Sequence, residues 1–393
     1  MSTHVGTLEE FVDILCETID NLTTHSFTAK SQAAFLRHQK ETLQDDKCIV
    51  ICDFAENYQY VIQDEVQSYH WNKEYCTLHP VSLYYICQGE LKTESLCVLS
   101  DDNNHDTPFV HKCLQLVTSH IKNKLPQVTM IEYFTDGCGG QYKNYKNFLN
   151  VCEHGSDFGL QACWNFFATS HGKGPCDGIG GTVKRLAYLE SLHDRKTEFH
   201  PITTIDNMYK FCESQIANIK FFLVKAADMD RVRRDQNERF KRGSTVPGTQ
   251  SFHQFFPIDL NTIGYKRLSS DTIKQGQFCF QQGEPSSAVA QEIKEGRYVA
   301  AVYDQEWYVG LVESVDRESG ECMVNFMHPK MPTGHVNWPT RPDKCLTPLC
   351  NLLTEIKVPS STSAGSRSYR ISDIDLENIK KCFTAFIHKN DFH

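Results

Sequence analysis

The chain has 393 residues, of which 40% are hydrophobic and 23% charged, with a formal net charge of −9. That length allows two or three domains of ordinary globular composition. The acidic balance excludes a protein that coats nucleic acid by bulk charge, but leaves a local basic groove open.

No apolar run reaches the roughly 18 residues of a membrane span, so no membrane partner is expected. The start, Met-Ser-Thr-His-Val-Gly, lacks the basic-then-apolar pattern of a secretion leader. The 17 cysteines are an odd number and are scattered. They are read as reduced thiols of an intracellular protein.

Residues 1–47 read as a helical N-terminal region of two helices that support the rest of the chain. Thr7 with Glu10 suggests a capping box, and Leu8, Phe11, Val12, Leu15 and Ile19 fall at helical spacing. Phe27 to Leu43 gives the second helix. Cys48-Ile-Val-Ile-Cys-Asp53 is an apolar run ending in an acid, a strand expected to be buried on both faces. Tyr58–Tyr69, Cys76–Cys87 and Leu96–Ser100 are further strand candidates. Thr107-Pro108 starts a helix with an apolar stripe, which Pro126 ends. Met130–Thr135 is a strand broken by Asp136-Gly137. A helix through 142–152, a strand near 160–168 and a helix from Asp177 to about Leu192 come next.

Residues 203–217 read as helix, 219–224 as strand and 226–242 as a charged helix. Eight basic residues stand against four acidic ones between 220 and 242. Such a face serves phosphate contact or solvent ion pairing equally well. Residues 251–294 read as a linker. From Tyr298 the chain turns to short strands with hairpin turns, and 295–358 reads as a small β-barrel. Residues 359–393 read as a flexible tail with one short helix.

Three acids stand out. Asp53 and Asp136 follow strands and Asp177 opens a helix. Carboxylates that converge from separate elements are what a pair of hard divalent ions requires. Alone, any one of these residues is better explained by an Asx-turn or a helix cap. Cys76 with His79, and Cys152 with His154, have the residue types of a zinc site but not its paired short motifs, and are read as buried thiols and stray histidines. A thiol hydrolase built on Cys138 or Cys176 with His171 has no support from spacing.

The element order and acid placement resemble the DDE/D transposases and retroviral-type integrases. The strings Ile-Cys-Asp-Phe-Ala-Glu-Asn-Tyr, Phe-Thr-Asp-Gly-Cys-Gly-Gly-Gln-Tyr-Lys-Asn and Thr-Ser-His-Gly-Lys-Gly-Pro-Cys-Asp-Gly-Ile-Gly-Gly are similar to segments of transposon-derived proteins. The resemblance covers about 48–200. It implies an α/β RNase H-like core, a mixed sheet flanked by helices, over 48–250 with a helical extension. It implies DNA strand cleavage and transfer, with Asp53, Asp136 and Asp177 holding two Mg²⁺ or Mn²⁺ ions. The family's third acid is often a Glu deeper in the helix, so Glu190 is the rival to Asp177.

His171 and Lys173 flank the site and would assist at the scissile phosphate. Gln141, Lys143, Lys184, Arg185, Arg231, Arg233 and Arg234 are the candidate DNA contacts. The C-terminal barrel resembles SH3-like modules of Tudor, PWWP and chromo type, with Tyr303, Trp307, Tyr308 and Phe326 as a candidate aromatic cage for a methylated peptide. DNA is the expected partner, in the nucleus, with chromatin and homodimer formation left open. No zinc finger or helix-turn-helix precedes the core, so the chain is expected to be truncated or domesticated. The rival function is an inactive DNA or chromatin adaptor that keeps the fold.

Overall fold

The computed structural model describes residues 8–61, 75–168, 174–192, 202–246, 248–280, 292–303, 306–317, 321–330, 334–339, 342–361 and 368–389. Among them are eight α-helices and two sheets, one mixed and one antiparallel and curled. No described helix is long and apolar enough to cross a membrane. Two compact units divide the chain: 1–238 with 252–277, and 239–251 with 278–393.

The first unit opens on one helix, α1 (Leu8–Glu41), where the sequence suggests two. No Pro or Gly interrupts Ile19 to Phe27, and the Thr23 hydroxyl donates to the Ile19 carbonyl at 2.8 Å. The polar stretch therefore continues the helix instead of ending it. Strands β1 (Lys47–Cys52), β2 (Ala55–Gln59), β3 (Tyr75–Cys87) and β4 (Glu90–Ser100) follow. β3 and β4 form a hairpin closed by Gln88 and Gly89, with φ of 56° and 76°. Two positive φ values in a two-residue loop match the right-handed strand twist. Helix α2 (Thr107–Lys124) starts where Asp106 accepts from the Phe109 N–H at 2.9 Å.

Next come β5 (Met130–Thr135), α3 (Tyr145–Cys152), α4 (His154–Phe158), β6 (Gln161–Phe166) and α5 (Pro175–Ser191). Then α6 (Ile205–Gln215), β7 (Ile219–Val224), α7 (Ala226–Phe240), β8 (Gln254–Pro257), β9 (Thr262–Lys266) and β10 (Gly276–Cys279) complete the series. The sheet order is β10-β9-β8-β6-β5-β1-β3-β4-β7, with β2 pairing with β3 off this path. β1, β5 and β6 are mutually parallel, while β3 is antiparallel to both its neighbours, β1 and β4. Part of the stretch read as a linker is thus strand: Phe255 of β8 pairs with Trp164 of β6.

Helices cover both faces. In β4, Cys97 and Leu99 pack with Val183 of α5 and Met208 of α6. Val98, between them, packs with Phe109 of α2 and Met229 of α7. Alternate residues of one strand point to opposite faces, so the two helix pairs lie on opposite sides. β1 is buried from Cys48 to Cys52, as expected of a strand covered on both faces.

The second unit holds β11 (Tyr298–Tyr303), β12 (Glu306–Asp316), β13 (Glu321–Lys330), β14 (His335–Asn337), β15 (Asp343–Pro348), β16 (Leu352–Ile356), β17 (Ser360–Ser361) and β18 (Ser368–Arg370). Pairing among these described strands is antiparallel, in the order β16-β11-β12-β13-β14-β18-β17 with β15 also on β13. The tail read as flexible carries α8 (Asp373–Lys389), whose Ile379 is fully buried against this sheet.

Candidate active site

β1 and β5 run parallel with Ile51 opposite Phe134. Two residues on, Asp53 and Asp136 leave the sheet side by side at its carboxyl edge. Neighbouring strands lie about 4.8 Å apart, so this register brings the two acids together. Carboxyl ends of strands are also where open α/β sheets place their ligands.

The Asp53 N–H donates to the Pro80 carbonyl at 3.3 Å, which fixes the turn out of β1. One oxygen of each acid is held by backbone: Asp53 Oδ1 accepts from the Phe54 N–H at 2.8 Å, and Asp136 Oδ1 from the Cys138 N–H at 3.1 Å. The start of α5 lies over β1, because the Cys176 thiol donates to the Ile51 carbonyl at 3.4 Å. Gly180 lets α5 pack closely on β2: a Cβ there would stand 2.9 Å from the Ala55 Cβ. Asp177 sits in the first turn of α5, exposed, and its Oδ2 accepts from the Gly174 N–H at 3.3 Å. It caps the helix.

The electrostatics join the three acids. Burial first, then Asp136, and then Asp177 push the Asp53 carboxyl up to about 7, against the pull of the Phe54 N–H. Burial also raises Asp136. Glu190 is not among the neighbours that raise Asp53. It lies thirteen residues beyond Asp177 on the same helix, about 20 Å along its axis. Among the described residues, no group of three or more His, Cys, Asp or Glu side chains is placed to hold a metal ion.

Beneath the acids lies a cluster that the sequence did not suggest. Phe54 stacks on His105 with centroids 4.3 Å apart and meets His79 edge-on at 4.7 Å. His79 Nε2 and the Tyr142 hydroxyl share a hydrogen bond of 2.9 Å, both residues being fully buried. Burial pushes His79 down to about 3, so it is neutral at physiological pH. The one available signal was its place, one residue before the Pro80 that faces Asp53. His154 is likewise engaged, with the Tyr133 hydroxyl at 2.9 Å. Burial pushes the Cys176 thiol up to about 12, with Asp53 and Asp177 adding to it. It is therefore protonated at neutral pH and is no nucleophile.

The expected DNA contacts fare differently. Lys143 is only 4% exposed, not a surface contact, and burial pushes it down to about 8. Its stem runs under the turn after Asp136, 3.5 Å from where a Gly137 Cβ would be. Arg233 is tied to Asp102 at 2.5 Å and to Asp106 at 2.8 Å. Arg231 is exposed beside Asp235 at 3.8 Å, Lys184 reaches the Glu56 carbonyl at 3.3 Å, and Arg185 and Arg234 are exposed. Gln141 is half-buried. His171 and Lys173 lie outside the described residues.

Asp102 is 4% exposed, so losing its cation would strand a buried charge. Arg233→Ala is expected to lower stability by roughly 3 kcal/mol, measured by urea unfolding. An unchanged midpoint would return Arg233 to the pool of surface cations.

In the second unit the four expected cage residues do not share one face. Trp307 packs with Tyr298, Trp338 and Ile379. Tyr308 and Phe326 pack with Val312 and Val324, their rings 6.3 Å apart. Adjacent residues of β12 point to opposite sides, so a single cage from Trp307, Tyr308 and Phe326 cannot form. The side chain of Tyr303 lies outside the described residues.

No curated protein and no solved structure matches this chain. A family profile described as "Domain of unknown function (DUF8701)" matches residues 32–269, which span the first-unit sheet from β1 through β9 and all three acids. The match covers more than half of the 393 residues, and the chain belongs to that family of domains of unknown function.

Proposed function

We propose that the chain catalyses divalent-metal-dependent phosphoryl transfer on DNA, as a nuclear DDE/D-type enzyme of transposon descent. The observation that carries this reading is the register of β1 and β5, which sets Asp53 and Asp136 side by side at the sheet edge. The mixed sheet with helices on both faces supports an RNase H-like core. The curled antiparallel sheet of the second unit supports an SH3-like module.

The donors are carboxylate oxygens, the type a hard cation takes, and the trio would have to draw closer to share one, since the described residues bring no three such side chains into a metal-holding group. Each of the three acids has one oxygen on a backbone N–H and a second oxygen to offer. Asp53 is raised by burial and by two neighbouring acids, with the Phe54 N–H opposing them. That is the electrostatic demand a divalent ion satisfies. Asp53, Asp136 and Asp177 would hold Mg²⁺ or Mn²⁺, which when bound activates the attacking oxygen and stabilises the leaving one. The backbone N–H groups of Phe54 and Cys138 orient the two strand-end carboxylates. The buried His79 and Tyr142, with half-buried Phe54 packed on them, exclude water from beneath the carboxylates.

The metal test is independent of substrate. A ligand bound only by the folded state stabilises it by about 2.7 kcal/mol at a hundred times its dissociation constant, so Mg²⁺ should raise the melting temperature. Asp53 also sets a pH dependence. Its folded value, about 7, lies above the ordinary 3.8. Its contribution to stability is therefore full below about pH 4 and is lost as pH rises through about 7. Asp53→Asn should melt higher than the parent at pH 8, the gap closing toward pH 4, and should lose the Mg²⁺ response. A parent whose melting ignores both Mg²⁺ and Mn²⁺ would end the metal reading.

One observation favours the rival, an inactive DNA or chromatin adaptor. Asp177 is exposed and already serves as a helix cap. Metal-induced stabilisation without any nicking would select that reading.

A further inference from the structure

We propose that the chain pairs with a second copy of itself through the first half of α1, as a parallel two-stranded coiled coil. Leu8, Val12, Leu15, Ile19 and Leu22 follow one another at spacings of four, three, four and three. In a heptad this places β-branched Val12 and Ile19 at a, and Leu8, Leu15 and Leu22 at d. That division of residue types is the one two-stranded parallel coils prefer.

The stripe is open. Val12 is 45% exposed, Leu15 44%, Ile19 51% and Leu22 63%, on a helix whose Gln32 is held in the body by a 2.9 Å bond to the Phe166 carbonyl. Large apolar side chains repeated along one helix face mark a contact surface.

Charge selects the occupant. Between residues 8 and 22 the charges are Glu9, Glu10, Asp13, Glu17 and Asp20, with no Lys or Arg. In this register they take b, e and f positions, none at a, d or g. The flanking pairs across a parallel seam would be Phe11 with Cys16 and Thr18 with Thr23, neutral on both sides. Two identical acidic helices can therefore meet along this stripe without like charges facing each other.

The seam also continues into the body. Ser26, Ala29 and Ala33 take the next a, d and a positions and line a cavity of about 600 Å³, whose far side is Ile51, Phe167 and Pro175. Small residues there leave room for a second helix to approach closely.

The test is the mass of the full chain in solution. Sedimentation equilibrium or light scattering at tens of micromolar should give twice the 45.0 kDa protomer. Leu15→Glu/Ile19→Glu, at exposed positions outside the body, should return the mass to one protomer, with the melting temperature of the body unchanged. A cysteine at Ile19 in a Cys16→Ser background should form an interchain disulfide with oxidised glutathione, and one at Glu17 should not. A monomeric parent, a dimer that survives the double substitution, a larger assembly or absence of the Ile19→Cys cross-link would each overturn the proposal. None of these readouts involves metal or DNA cleavage, so failure here is separate from failure of the proposed activity.

Discussion

Asp136→Asn is expected to abolish Mg²⁺-dependent nicking of duplex DNA while leaving the fold intact. The substitution keeps the shape and the oxygen that accepts from the Cys138 N–H at 3.1 Å. It removes the charge that faces Asp53. Charge stabilisation by a metal centre is worth several kcal/mol, and each 1.36 kcal/mol is tenfold in rate. The loss should therefore be about 100-fold or more in turnover, with no fall in unfolding midpoint. Relief of its repulsion should also bring Asp53 down toward the ordinary carboxylate range, which a carboxyl titration by NMR would read. Undiminished nicking by the purified variant would remove Asp136 from the site. The Gly-rich turn after it would then be a structural turn only.

Trp164→Ala is expected to be the most destabilising single change near the site. Trp164 is 1% exposed in β6. Its ring stacks on Tyr133 with centroids 4.7 Å apart, and its indole N–H donates to the Thr135 hydroxyl at 2.8 Å. Thr135 is the last residue of β5, immediately before Asp136. Removing a buried tryptophan costs about 3–5 kcal/mol through lost burial and the cavity left behind. Trp164→Phe keeps most of the burial and removes only the indole's hydrogen bond, while the Thr135 hydroxyl still donates to the Asp136 carbonyl at 3.0 Å, so it should cost about 1 kcal/mol. Urea unfolding of both variants should rank them in that order. Equal midpoints would mean that the hydrogen bond, not the packing, holds the end of β5.

The strand ends were legible because their signals are local. An apolar run of β-formers closed by an acid, as in Cys48–Asp53, needs only its own residues to be recognised. The starts of α2 and α5 were legible for the same reason: Thr107-Pro108 opens the first, and Asp177 stands in the first turn of the second. The heptad spacing in α1 was also present in the sequence. The polar residues between Ile19 and Phe27 hid the fact that one helix carries both halves.

What stayed hidden depended on partners far away in the chain. Arg233 looked like a free cation within a basic run, but its partners Asp102 and Asp106 lie 131 and 127 residues away. Lys143 looked like a contact beside the acids, yet folding buries it under their turn. Residues 251–294 looked like a linker because β8 has only four residues, and its pairing with β6 joins positions ninety residues apart. The cage was drawn from aromatic content, and strand alternation then divided it between two faces.

The sequence by itself determined where several strands and helices start and stop, β1, β5 and α2 among them, and that three acids stand at such ends, because caps, turns and apolar periodicity act over a few residues. Only the tertiary structure decided which acids meet. Parallel register between β1 and β5 brings Asp53 beside Asp136 across 83 positions of chain, and the packing of α5 over β1 brings Asp177 near them. Glu190 is left out because a rigid helix carries it away. Strand register and helix packing are set by the burial of whole faces, a property of the assembled core that no single segment contains.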